Sequence, residues 1–241
     1  MLRNIAGLHG YSIGATNSEL GKVHDFYFDD GYWVIRYIVV DTGKWLRGRC
    51  VLVSPVAAEH ADWEAKTIHV NLTMEQVRES PPVNTDKPIS RQVESEVSGY
   101  FGWPLYCNPQ DDPQPNPAQV ERRAIASIST DSNLRSTREV NGYRIEALDG
   151  SIGHVEDFVI EDMGWGIRYL VIDTRNWLPG GRKVLVPPPW IERVSWTEMK
   201  VHVDVSREAV KQSPEFDASF SVNREYETRL YDYYGRPKYW V

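Results

Sequence analysis

Residues 10–46 read GYSIGATNSELGKVHDFYFDDGYWVIRYIVVDTGKWL, and residues 142–178 read GYRIEALDGSIGHVEDFVIEDMGWGIRYLVIDTRNWL. At a shift of 132 the two stretches align without a gap, and 18 of 37 positions are identical. The identities include Gly21/Gly153, Asp25/Asp157, Trp33/Trp165, the Ile-Arg-Tyr triplets starting at Ile35 and Ile167, and Trp45/Trp177. One inserted residue near Pro179 moves the shift to 133. The match then runs on through Val51–Val53/Val184–Val186, Pro55/Pro188, Trp63/Trp196, His69/His202 and Gly102/Gly235. Self-similarity over this length marks a tandem duplication.

Within the repeat, Gly21–Phe28 is rich in β-branched and aromatic residues, as a strand is. Asp29-Asp30-Gly31 supplies turn chemistry, and Glu161–Gly164 serves in the second copy. Trp33–Asp41 and Trp165–Asp173 then return as long strands with apolar residues on both faces, so each is expected to be covered twice. Short strands are expected at Cys50–Val53, Thr67–Val70, Val184–Val186 and Lys200–Val203. Thr73 with Gln76 forms a capping-box pattern, and Ser206 opens the matching helix. A last helix carries Val93, Val97, Tyr100 and Phe101 on one face, matched by Tyr226, Leu230, Tyr233 and Tyr234. Gly102 and Gly235 stand where left-handed C-caps belong.

The fold class expected is mainly β with short α: two small barrels, each followed by C-terminal helices. Copy 1 spans 1–108 and copy 2 spans 137–241. The segment 109–136, with Pro109, Pro113, Pro115 and Pro117, reads as a polar, proline-rich linker with one helical turn near 119–126. As a ligand for a proline-binding module it lacks a basic flank.

The chain has 241 residues, 41% hydrophobic and 25% charged, the range of an ordinary globular protein. Its net charge of −7 is shared between the halves, which argues against nucleic-acid binding and against electrostatic docking on anionic lipid. No apolar run reaches the length of a membrane span. Cys50 and Cys107 fit no metal or redox motif. Cytoplasmic residence is expected, with membrane association only through a protein partner.

The run Asn141–Leu185 carries Gly142-Tyr143, Asp149-Gly150, Ile152-Gly153, Val155–Phe158, Arg168–Asp173 and Trp177–Gly180. It resembles a PRC-barrel domain, and Gly10–Val53 resembles one more loosely. The resemblance implies a six-stranded barrel-like fold, as in the cytoplasmic part of the photosynthetic reaction centre H subunit and the C-terminal part of a ribosome-maturation factor. It implies no single function. The membrane helix of the former and the N-terminal domain of the latter have no counterpart here.

No residue set has the arrangement of a catalytic site, a cofactor loop or a metal site, so catalytic, cofactor and metal residues are all expected to be none. His69 and His202, the one histidine pair kept between copies, are expected at the surface. Asp25, Asp29 and Asp30, with Asp157, Glu161 and Asp162, could gather a hard cation. The competing reading gives the turn to Asp29 and Asp30, and gives Asp25 hydrogen bonds from backbone or from Arg36. The chain has nine Trp and 13 Tyr, and such residues concentrate at interfaces. Tyr100, Phe101, Tyr233, Tyr234, Tyr239 and Trp240 are the candidate partner-binding residues. The function expected is a non-enzymatic interaction or scaffold module built as an intramolecular pseudo-dimer, with a protein partner or a second copy of itself. The alternative is a small-molecule- or ion-binding regulatory module using the cleft between the copies.

Overall fold

The computed structural model describes residues 1–84, 89–104, 134–175, 177, 180–217 and 222–240. Cys107, the linker prolines and the helical turn expected at 119–126 lie outside the described residues. The strands of the first half are β1 (Leu2–Asn4), β2 (Ser12–Gly14), β3 (Glu19–Asp29), β4 (Val34–Asp41), β5 (Cys50–Val53), β6 (Ala58–Asp62) and β7 (Thr67–Val70). Then come β8 (Leu134–Ser136), β9 (Arg144–Ala147), β10 (Gly150–Glu161), β11 (Ile167–Asp173), β12 (Lys183–Val186), β13 (Ile191–Ser195) and β14 (Lys200–Val203). Among the described residues the helices are α1 (Met74–Glu79), α2 (Arg91–Phe101), the single turn α3 (Thr137–Val140), α4 (Arg207–Gln212) and α5 (Arg224–Tyr234). The chain is thus mainly β, with two seven-stranded sheets and short helices.

It divides into two compact units. The first is Leu8–Arg138, and the second joins Met1–Gly7 to Glu139–Val241. In the first, the strand order is β5-β4-β3-β2-β7-β6, with β8 paired to β3. In the second it is β12-β11-β10-β9-β14-β13, with β1 paired to β10. The six strands along each path match the barrel-like expectation. The seventh was not anticipated, and it comes in each case from upstream of the other copy. Leu134–Ser136, assigned to the linker on sequence, lies antiparallel on Tyr27–Asp29, and Leu2–Asn4 lies antiparallel on Val159–Glu161.

The long strands explain why a seventh is needed. β3 pairs with β2 only as far as Lys22, and β10 with β9 only as far as His154. Beyond that point register shifts at Val23/Asp25 and Val155/Asp157 bend each strand away from its first neighbour. The far half then has a free hydrogen-bonding edge among buried residues, and an unpaired backbone there is costly. β8 and β1 fill it.

Trp33 and Trp165 do not begin the return strands. Each takes a left-handed backbone (φ 55° and 56°), and its N–H donates to the carbonyl of Asp29 or Glu161 to close the turn. Burial holds Trp33 in this conformation, its ring stacked on Phe28 at 5.3 Å. In the first unit the double covering of β4 is visible directly. Tyr27, Tyr37, Val39 and Leu52 form one buried cluster with Val97 of α2, Ile89 and Leu134, and Val93 and Phe101 pack against it. Both long helices end as expected, at Gly102 (φ 70°) and Gly235 (φ 61°). The capping box of Thr73 and Gln76 is formed, and Ser206 caps α4.

Candidate functional site

Three groups of side chains could carry function: the acids of the long strands, the aromatics of the last helices, and a cavity in the second unit.

The acids are engaged by the protein itself. Asp25 is 6% exposed. It accepts hydrogen bonds from the Phe26 and Arg138 N–H groups and from the Ser136 and Thr137 hydroxyls. Arg36 goes instead to Asp29, at 3.9 Å. Asp29 makes the turn, with Oδ1 accepting from the Gly31 and Tyr32 N–H groups. Asp30, which the sequence reading also gave to the turn, pairs with Arg135 of β8 at 3.0 Å. In the second unit Asp157 accepts from the Phe158 and Ala6 N–H groups, and Asp162 from Arg3 of β1 at 3.3 Å. Glu161 pairs with Arg168. Burial pushes Asp30 up to about 6 against the pull of Arg135, and pushes Asp157 up to about 6. Asp25, Asp30 and Asp162 therefore hold the seventh strands in place and Asp157 holds Ala6 just past β1, while Asp29 and Glu161 are spent on the turn, Arg36 and Arg168.

A further buried pair went unnoticed in the sequence, although both repeat offsets reveal it: Tyr37 falls on Tyr169, and Glu94 on Glu227. Tyr169 donates to Glu227 Oε1 at 2.8 Å and ties α5 to β11, and Tyr37 meets Ser98 of α2 at 3.1 Å. Burial raises the Tyr169 hydroxyl above its ordinary range and, in the first unit, raises Glu94.

The aromatic candidates fall into separate groups. Tyr100 stands edge-on to Phe101 at 4.8 Å, and Phe101 stacks on Trp103 at 4.2 Å. Tyr233 contacts Tyr234, which leans on Trp190 at 4.6 Å. Tyr239 and Trp240 meet each other at 4.9 Å and both contact Tyr231. Tyr100, Tyr233 and Tyr239 are each about 40% exposed. Their hydroxyls are used internally, on Gln76 O, Ala209 O and Glu227 Oε1.

His69 and His202 each alternate with two core residues of their strands, but they are half-buried rather than at the surface as expected. His69 lies opposite His60 across β6 and β7, their rings stacked at 4.4 Å. The pairing is not legible in the sequence because eight residues and a hairpin separate the two. Nor is a cavity of about 670 Å³ in the second unit, lined by Arg144, Ser151, His154, Trp177 and Arg207 among others. Four of these five positions differ between the copies, so the repeat could not point to them.

Among the described residues, no helix is long and apolar enough to cross a membrane. The family model for the PRC-barrel domain matches the chain twice, over residues 10–77 and 136–210. Both matches stop short of α2 and α5, the helices that carry Tyr100, Phe101, Tyr233 and Tyr234, and of Tyr239 and Trp240 beyond them. No curated protein matches the chain.

Proposed function

The chain belongs to the PRC-barrel domain family in both of its copies, and on that premise we propose that it is a non-enzymatic protein-interaction module built as an intramolecular pseudo-dimer. The observation that carries the reading is the aromatic surface at the end of each copy. Tyr100, Tyr233 and Tyr239 keep about 40% of their area exposed on rings whose hydroxyls are already tied down. Rigid, partly exposed aromatics give large contact area at low entropic cost. They lie outside the segments that match the family, where a common barrel would carry a partner-specific attachment. The pseudo-dimer part is supported by the exchange of β1 and β8, since each unit is completed by the strand that precedes the other copy. We place the protein in the cytoplasm, with protein partners.

The test is affinity capture by the tagged chain from soluble and membrane fractions, against Tyr100→Ala, Tyr233→Ala and Tyr239→Ala chains whose circular dichroism is unchanged. A partner captured by the wild type and lost with these substitutions supports the aromatic surface. Capture that ignores all three would remove it.

A further inference from the structure

The cavity of the second unit sits where β9, β10 and the start of α4 come together. Arg144 comes from β9, Ser151 and His154 from β10, Arg207 from the first position of α4, and Trp177 from the turn after β11. Arg207 holds its guanidinium over the Trp177 ring at 4.9 Å. Stacking uses the face of a guanidinium and leaves its in-plane N–H donors free for an oxyanion. Among the described residues, no ion pair engages the side chain of Arg144 or of Arg207. The nearby acids are occupied elsewhere: Asp149 accepts the Arg207 backbone N–H at 2.7 Å, and Asp173 is paired with Arg175. Glu146 shares a strand face with Arg144 but does not line the cavity.

The first copy supplies an internal comparison. At the repeat offsets, Arg144 is replaced by Ser12, Ser151 by Glu19, His154 by Lys22 and Arg207 by Met74, while Trp177 remains as Trp45. Trp45 is occupied differently, donating its indole N–H to the Leu20 carbonyl at 2.6 Å. The same scaffold thus carries two guanidiniums and an imidazole in one copy, and one cation beside an added carboxylate in the other. In a chain of net charge −7, paired arginines at a cavity are not a by-product of general basicity.

We propose that this cavity is an anion-binding site for a small phosphate monoester, present once per chain. Arg144 and Arg207 take the phosphate oxygens, with Ser151 and His154 as further hydrogen-bonding groups. Two forked donors on separate elements suit a phosphate, which accepts from several directions. The cavity has the volume of a small-molecule site, larger than inorganic phosphate alone fills.

Calorimetric titration of the full chain with glycerol 3-phosphate and with inorganic phosphate, in chloride buffer, tests this. The expected result is saturable binding at one site per chain, tighter for the ester. Arg144→Gln and Arg207→Gln should each weaken it by roughly tenfold or more. Ser151→Glu, which imports the carboxylate of the first copy, should abolish it, and Lys22→Gln should leave it unchanged. All four positions are at least partly exposed, and unchanged thermal midpoints would show that the fold is kept. In a parallel arm, flotation with phosphatidylcholine vesicles containing phosphatidic acid reads a lipid-borne phosphate. Arg207-dependent binding to the soluble ester assigns the site to a free metabolite, and to the vesicles alone, to a headgroup. No saturable binding in either arm, two equivalent sites per chain, or equal loss with Lys22→Gln would overturn the proposal.

Discussion

Asp25 and Asp157 occupy the same place in the repeat, just past the bulge of a long strand, and each receives the backbone of a segment from far away in sequence. Asp157 has fewer partners than Asp25, and burial holds its carboxyl at about 6 rather than 3.8. A raised carboxyl favours the protonated form in the folded state. Its contribution is therefore fully present below pH ~3.8 and lost as the pH climbs through ~6. Urea unfolding at pH 4 and pH 7 should show the stability of Asp157→Asn rising relative to the wild type by roughly 2 kcal/mol over that interval. Tyr169→Phe removes a donor from the buried Glu227 and is expected to cost about 1.5–3 kcal/mol. Glu227→Gln in the same background should cost less than it does alone, which a double-mutant cycle reads directly. Gly153 is a sharper case. Its φ is 140°, and an added Cβ would sit 2.0 Å from the Asp173 carbonyl oxygen. Gly153→Ala should lower the unfolding free energy by at least ~2 kcal/mol.

The elements differ in how plainly the sequence announces them. The long strands and their turns were legible because two copies repeat the same apolar pattern and the same Asp and Trp positions. The caps at Thr73, Ser206, Gly102 and Gly235 were legible because each rests on local chemistry. β1 and β8 were not: three residues have no periodicity to read, and Leu2-Arg3 matching Leu134-Arg135 is slight evidence in isolation. β6 and β13 escaped as well, since Ala58–Asp62 mixes charged and small residues and is mostly exposed. The aromatic stripe was read correctly as a helix face, but sequence could not show that its hydroxyls would be spent on the adjacent short helix. The cavity residues run from Arg144 to Arg207 without a motif, and only folding gathers them. At this scale the added strands can be tested by deletion. Removing Met1–Gly7 takes the pairing partner from Val159–Glu161 and the Ala6 N–H from Asp157. Hydrogen exchange followed by mass spectrometry should show faster exchange across the end of β10, with β3 unaffected.

For the whole molecule, the two compact units do not coincide with the two copies of the sequence. Leu134–Arg138 belongs to the first unit although it leads into the second copy, and Met1–Gly7 belongs to the second although it leads into the first. A single cut within 105–133 therefore leaves each unit holding a strand from the other fragment. After such a cut the two fragments should co-elute on size exclusion under native conditions and separate only in denaturant. Elution as two independent barrels would contradict the pairing of β1 and β8. The same arrangement has a cost during synthesis. Tyr27–Asp29 leaves the ribosome more than 100 residues before Ser136 arrives to pair with it. At about 5–20 residues per second, that edge stays open for roughly 5–20 s. Leu2 waits longer still, for Glu161. In the finished protein the exchanged strands close two sheets, whereas in the nascent chain they are two sticky edges exposed to every neighbour on the same message.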